Sequence, residues 1–357
     1  MTQANLLSVD HLSVAFDLDE CEHLAVDGLS LDIPFGQTVA LVGESGSGKS
    51  ATALALMRLL PQPPARVNGR HVQLDIGAED GPIDLLTLSD KQMREVRGAR
   101  IAMIFQEPMT SLNPVFSVGS QIVEAILLHR SMNHKDAKRE AASLLTRVGI
   151  EDAARKVNYY PHQLSGGMRQ RVMIAMALAC KPAMLIADEP TTALDVTTQK
   201  EILNLIGLLQ TETAMSMLLI THDLGLVAER AAYTYVMYAG QIVEHGQSQL
   251  ILTAPAHPYT KALLACTPSL YSKVDKLPTI PGSPPTRKSK PQGCPFHPRC
   301  ALSSQKAAEG TRNTIESQNA EIGLVLADCA QPGPNAASDT PNLREISKGH
   351  WVACWET

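Results

Sequence analysis

The run Gly43-Glu44-Ser45-Gly46-Ser47-Gly48-Lys49-Ser50 has the form G-x-x-x-x-G-K-S. These residue types at this spacing form a phosphate cradle. Gly43, Gly46 and Gly48 let the backbone bend around an anion without Cβ clashes, and Ser45 lies inside the bend. Lys49 reaches the terminal phosphates, and the Ser50 hydroxyl is a ligand for Mg²⁺. Downstream, Met184-Leu185-Ile186-Ala187 runs into Asp188-Glu189. A carboxylate at that strand end can hold Mg²⁺ through water, and Glu189 is the candidate general base for an attacking water. A solvated acidic turn is the bland alternative, and four apolar residues directly before the pair count against it.

The elements that must position these groups are legible. Val39 to Val42 is a short apolar strand entering the glycine loop, and Ala51 to Met57 after it is rich in helix formers. Strand, glycine loop, helix is the context that gives the pattern its meaning. Ile101 to Phe105 reads as a buried strand ending at Gln106, and Met217 to Ile220 as another ending at Thr221-His222. Val118 to His129 and Asp136 to Val148 carry apolar residues at helical spacing. Ser165 is placed to cap a helix that Lys181-Pro182 stops. Functional groups at the ends of successive apolar strands predict an open α/β sheet. Leu6 to Phe16 alternates partly and reads as an edge strand.

At this point a family resemblance is plain. Leu164-Ser165-Gly166-Gly167-Met168-Arg169-Gln170 resembles the signature motif of ATP-binding-cassette (ABC) ATPases, and five motifs stand in that family's order over about residues 6 to 260. The resemblance implies an α/β P-loop NTPase core with a helical subdomain at about 107–180. Gln106 resembles the glutamine that contacts Mg²⁺ and senses a membrane subunit. Ser165 and Gly167, flanking Gly166, resemble the groups that meet the γ-phosphate of a partner's ATP. Ala193-Leu194-Asp195 resembles the D-loop, His222 the switch histidine, and Phe16 the aromatic that stacks on adenine. The alternatives are Ser165 as an ordinary N-cap and Phe16 as a core residue. A helix N-terminus at Ser165 can face an anion, so two chains head to tail would bury two ATPs.

Further stretches narrow the resemblance. Ile104 to Pro114, His257-Pro258-Tyr259-Thr260-Lys261-Ala262-Leu263-Leu264 and Gly293-Cys294-Pro295-Phe296-His297-Pro298-Arg299-Cys300 are similar to the ATPase subunits of bacterial dipeptide/oligopeptide importers. That implies a second, related ATPase subunit, two membrane permease subunits docked on residues 107 to 160, and an extracytoplasmic solute-binding protein. Peptides are the implied cargo; nickel chelates, glutathione and oligosaccharides use similar ATPases. The resemblance places the chain on the cytoplasmic face of the bacterial inner membrane.

Composition sets limits. The chain has 357 residues and a net charge of −5, with 4% aromatics. That balance gives no sign of a nucleic-acid surface. Residues 1 to 10 lack the pattern of a secretory signal. A membrane-spanning helix needs roughly 20 mostly apolar residues, and the best run, Val172 to Ala187, is cut by Lys181-Pro182. The expectation is a soluble, cytoplasmic chain whose membrane contacts come from partners.

A second unit, 261–357, is expected to be a loop-rich extension. Seven prolines between Pro278 and Pro298 predict a stiff connector, and 301 to 345 reads as loops. Cys21, Cys180 and Cys266 read as small buried residues. Cys294, Cys300, Cys329 and Cys354 cluster in this extension and could hold zinc or an iron–sulfur cluster, with His297 and His350 as spare ligands. The importer resemblance implies [4Fe–4S], although a polar insertion delays the third cysteine. A soluble ABC ATPase acting on DNA or ribosomes and a redox-gated ATPase are the competing readings.

Overall fold

The structure is a computed structural model of the chain and describes residues 4–18, 21–77, 81–106, 111–192, 194–267, 278–285, 291–310, 312–331 and 340–357. Its centre is a mixed sheet. Strands β3 (Thr38–Val42), β7 (Ile101–Ile104), β8 (Met184–Asp188), β9 (Ser216–Thr221) and β10 (Tyr233–Tyr238) run parallel in the order β10-β3-β9-β8-β7. The residues of β3, β8 and β9 are buried throughout, as strands covered on both faces must be. Because the strands are parallel, the residues that follow them (Gly43, Gln106, Glu189 and His222) emerge at one edge.

A smaller antiparallel sheet joins β1 (Asn5–Leu18), β2 (Cys21–Pro34), β4 (Ala65–Asn68), β5 (His71–Leu74) and β6 (Ile83–Asp84). The sequence expectation of an edge strand at Leu6–Phe16 is wrong. β1 lies inside this sheet, paired with β2 on one side and with β4 and β5 on the other. Polar residues of β1 find partners on β2: the Ser8 hydroxyl donates to Asp32, and Asp10 accepts from the Ser30 hydroxyl.

Helix α1 (Lys49–Leu56) leaves the glycine loop, and α2 (Asp90–Val96) is closed by a Ser89/Gln92 capping box. A helical layer follows: α3 (Val118–His129), α4 (His134–Arg147), α5 (Ala153–Lys156) and α6 (Gly166–Leu178). Its apolar faces pack on α7 (Val196–Thr213) and the β7–β8–β9 face of the main sheet in one buried cluster. The first two helical expectations are met within two residues. Residues 107–110 of the segment after Gln106 lie outside the described residues.

The C-terminal part returns to the core. Helix α8 (Leu224–Arg230) leads into β10, and β11 (Gln241–Gln247), α9 (Ser248–Thr253) and α10 (Pro258–Ala265) follow it. The last strands, β14 (Arg344–Ser347) and β15 (His350–Val352), extend the main sheet beyond β11. The reading of 301 to 345 as loops is corrected: Ala301–Ala308 is helix α11, β12 (Thr314–Glu316) pairs with β13 (Leu324–Leu326), and Ala327–Ala330 is helix α12. The Cys300 sulfur caps α11 by accepting from Ser303 N–H at 3.4 Å, a cap that a search for Ser, Thr, Asp and Asn overlooks. No helix among the described residues is long and apolar enough to cross a membrane.

Candidate nucleotide site and four-cysteine cavity

The glycine loop follows β3 directly. Gly43 and Gly48 have φ of 158° and 109°, and a Cβ would come within 2.2 Å of the Met237 carbonyl oxygen and 2.4 Å of the Ala25 carbonyl oxygen respectively. The loop is therefore pinned between β10 and β2, and only glycine fits both contacts. Gly46 has a left-handed φ of 79° with open space beside it. Lys49 is buried, and its ammonium donates to the Gly43 and Glu44 carbonyls, each at 2.9 Å. Burial lowers the Lys49 pKa, opposed by the charges of Glu189, Asp188 and Glu44.

Asp188 ends β8 beneath this loop. Burial raises its pKa, and a hydrogen bond with Ser50 works the other way. Ser50 and Asp188, the two candidate Mg²⁺ ligands, thus touch. The buried Asp188 Oδ1 has no hydrogen-bond partner among the described residues, the state expected of an oxygen reserved for a cation or its water.

Glu189 gathers the other predicted groups. Gln106 Nε2 donates to its Oε2 at 3.1 Å, the Thr192 hydroxyl donates to the same oxygen at 2.9 Å, and His222 Nδ1 lies 3.1 Å from Oε1. Burial would raise its pKa, but the hydrogen bonds from His222 and Thr192, with the nearby charges of His222 and Lys49, carry it below the ordinary carboxylate value. Glu189 also holds φ at 45°. That left-handed backbone is uncommon for a non-glycine residue, and six others among the described residues share it. Thr192 was missed in the sequence; its place three residues after Glu189, in the turn closed by Thr192 N–H to Glu189 O at 3.1 Å, was the available signal.

Gly43, Glu44, Glu189, His222 and Cys266 line one open cleft, and Ser165, Gly166 and Gly167 are not in its lining. Ser165 caps α6, accepting from Met168 N–H at 3.3 Å, and Asp195 caps α7, accepting from Thr198 N–H at 3.0 Å. The two caps are neighbours: a Cβ on Gly167 would come within 2.8 Å of Thr198 Cγ2. Ala193 lies outside the described residues. Phe16 pairs with His23 and Ala65 in the smaller sheet and is half-buried against its core.

A second assembly forms in the C-terminal part. Cys294, Cys300, Cys329 and Cys354 are all buried and line one cavity with His257, His297 and Glu356. A backbone bond from Cys294 N–H to Cys329 O at 2.9 Å brings the distant third cysteine in, despite the insertion. Burial pushes the Cys300 thiol up to about 12 and Cys329 to about 11. His297 Nδ1 is engaged with the Cys294 carbonyl at 2.9 Å, and His350 Nε2 with Glu244 at 2.7 Å, so the two spare histidines have other partners. Among the described residues, no group of three or more His, Cys, Asp or Glu is arranged to hold a metal ion. Cys180 and Cys266 are half-buried, not fully buried as expected, and the side chain of Cys21 is outside the description.

Comparison with known proteins agrees with this architecture. The "ABC transporter" family profile matches residues 26–192, and "Oligopeptide/dipeptide transporter, C-terminal region" matches 243–306. The chain is 46% identical over 330 residues to the dipeptide transport ATP-binding protein DppD of Escherichia coli (strain K12), covering 92% of this chain and 99% of that protein. It is 45% identical over 350 residues to DppD of Bacillus subtilis (strain 168), covering 98% and 94%. A dimeric structure of a bacterial ABC transporter cassette superposes with a TM-score of 0.58 at 27% identity, covering 68% of this chain and 98% of that one. The chain belongs to the ABC transporter ATP-binding proteins that carry the oligopeptide/dipeptide transporter C-terminal region.

Proposed function

We infer that this chain is the ATP-hydrolysing subunit that energises uptake of di- and oligopeptides across the inner membrane. The observation that carries this is the convergence of Gln106, Thr192 and His222 on Glu189, beside the Ser50–Asp188 pair, in a chain alike over nearly its whole length to dipeptide transport ATP-binding proteins. Gly43, Ser45, Gly46, Gly48 and Lys49 hold the phosphates of ATP. Ser50, Gln106 and Asp188 surround its Mg²⁺. Glu189 takes a proton from the attacking water, and His222 holds that carboxylate and the γ-phosphate. Phe16 stacks on adenine. Ser165, Gly166, Gly167 and Asp195 serve the ATP of a partner ATPase, a paralogue, so that two chains close over two nucleotides.

Residues 1–260 act as the nucleotide-binding unit, with a helical subdomain at about 107–180, and 261–357 as its extension. Val115 and Phe116, in the turn before α3, and Leu128 on α3 are exposed. These apolar side chains suit two membrane permease subunits, which would hold the chain peripherally at the cytoplasmic face and link it to a solute-binding protein outside. Cys294, Cys300, Cys329 and Cys354 would hold a [4Fe–4S] cluster. What supports this is four buried thiols on one cavity, with burial holding Cys300 and Cys329 neutral until a metal's charge compensates the thiolates. When bound, the cluster supplies a cross-link that clips the tail to the core. Peptide uptake by cells deleted for this chain tests the function. The wild-type chain restores it and Glu189→Gln does not; uptake independent of the chain would contradict the assignment.

A further inference from the structure

Glu44, the second residue of the phosphate loop, is held from three directions. Its carbonyl accepts from Lys49 at 2.9 Å. Its amide N–H donates to the Tyr259 hydroxyl at 2.8 Å. Its carboxylate meets the Arg299 guanidinium end-on, with Nη1 at 2.7 Å from Oε2 and Nη2 at 3.0 Å from Oε1. Lys49 belongs to the loop itself. Tyr259 and Arg299 come from far along the chain, and Arg299 immediately precedes Cys300.

The Arg299 side chain is 3% exposed. Its Nε donates to the Pro281 carbonyl at 2.8 Å, its Nη1 to the Tyr238 hydroxyl at 3.3 Å, and its guanidinium lies 5.9 Å from the Tyr238 ring centre. An ion pair of this kind, with Arg299 buried and Glu44 partly exposed, adds little net stability over apolar packing, but its fork geometry fixes position tightly. The backbone behind it is a tight turn. Cys294 O accepts from His297 N–H at 3.0 Å, Phe296 O from Arg299 N–H at 2.9 Å, and His297 O from Cys300 N–H at 3.2 Å. Two of the four cavity cysteines bracket this turn, so whatever fixes their sulfurs also fixes the root of Arg299.

We propose that Arg299 is a positioning residue of the nucleotide site, carrying the geometry of the Cys294–Cys300 turn onto Glu44 and through it onto the loop that holds the ATP phosphates. The Arg299–Glu44 link stands on geometry alone; only the identity of what fixes the turn rests on the cluster assignment above. Loss of the link lets the loop and Lys49 relax, which weakens ATP binding and leaves the Glu189 chemistry in place.

The test is ATP affinity and steady-state hydrolysis of Arg299→Ala, Arg299→Lys, Glu44→Ala, the Arg299→Ala/Glu44→Ala double variant, and Cys300→Ser alone and with Arg299→Ala. Iron and sulfide content and thermal midpoint are read on each. Arg299→Ala and Glu44→Ala should each weaken ATP binding and raise KM about tenfold, with kcat changed less than about threefold. The double variant should be no worse than either single, and Arg299→Lys should recover part of the loss. Cys300→Ser should weaken ATP binding when Arg299 is intact and add nothing when combined with Arg299→Ala. Unchanged affinity in both single variants, or effects that multiply in the double, would overturn the proposal. If Arg299→Ala does not fold, Glu44→Ala and Arg299→Lys decide by the same change in affinity. Wild-type protein without iron or sulfide would remove the cluster assignment, and the Arg299–Glu44 cycle would then decide the link alone.

Discussion

His222 Nδ1 lies 3.1 Å from Glu189 Oε1, although the two residues stand 33 positions apart. They meet because β8 and β9 are parallel neighbours and each residue follows the end of its strand. The same carboxylate is engaged by Gln106, which follows β7. Three consecutive strands of the sheet thus each deliver one of these side chains to a single cluster around Glu189.

Glu189→Gln keeps the shape of this cluster and removes the base. Phosphate release should fall about 10²- to 10⁴-fold, with ATP affinity within about threefold of wild type. Both are measured on the purified chain together with the partner ATPase proposed above. Turnover within tenfold of wild type would contradict the general-base role.

Lys49→Ala removes the buried ammonium that now rests on the Gly43 and Glu44 carbonyls. Those acceptors belong to the loop, so the lysine is free to exchange them for phosphate oxygens. ATP affinity should drop tenfold or more, read by equilibrium binding of a fluorescent nucleotide. An unchanged dissociation constant would argue against contact with phosphate.

Anaerobically purified chain should carry about four irons and four acid-labile sulfides, with broad visible absorption. Cys329→Ser should lose both and lower the thermal midpoint, because it removes one of the four thiols on the cavity and with it the proposed cross-link from tail to core. Zinc in place of iron, or a Cys329→Ser protein with full iron content, would count against the four-thiolate cluster.

Acid should destabilise the fold through two histidines. Burial lowers His245 from 6.5 to about 4, with His350 adding to the effect, and burial lowers His257 from 6.5 to about 3. Both are neutral in the fold and gain a proton on unfolding once pH drops below 6.5. Stability is therefore full above that value and is lost as pH falls toward the folded values. At pH 5 each should cost about 2 kcal/mol. Thermal melts between pH 7.5 and 5 should show the decline, and a flat profile would contradict burial of the two rings.

The placement of much of the candidate site was legible because its parts are punctuated by strand ends. The glycine pattern, Gln106, Asp188-Glu189 and His222 each follow an apolar run, and the sheet brings them together without further information. The interior position of β1 was not legible. Alternation reports which face is buried, not how many neighbours a strand has, and its polar residues find partners on β2. Helix α11 was hidden by a cysteine acting as its cap. The link from Arg299 to Glu44 was also hidden: it spans 255 positions, and only the folded chain shows that the arginine before Cys300 faces the phosphate loop.

The most direct test of the central claim is ATP hydrolysis by the assembled complex. The complex would be captured through this chain, reconstituted in proteoliposomes, and assayed with solute-binding protein added empty or loaded with a dipeptide. The account predicts hydrolysis that rises several-fold with the loaded protein, accompanies peptide movement into the compartment on the ATPase side, and disappears with Glu189→Gln. Hydrolysis indifferent to peptide, or peptide movement unaffected by Glu189→Gln, would contradict it.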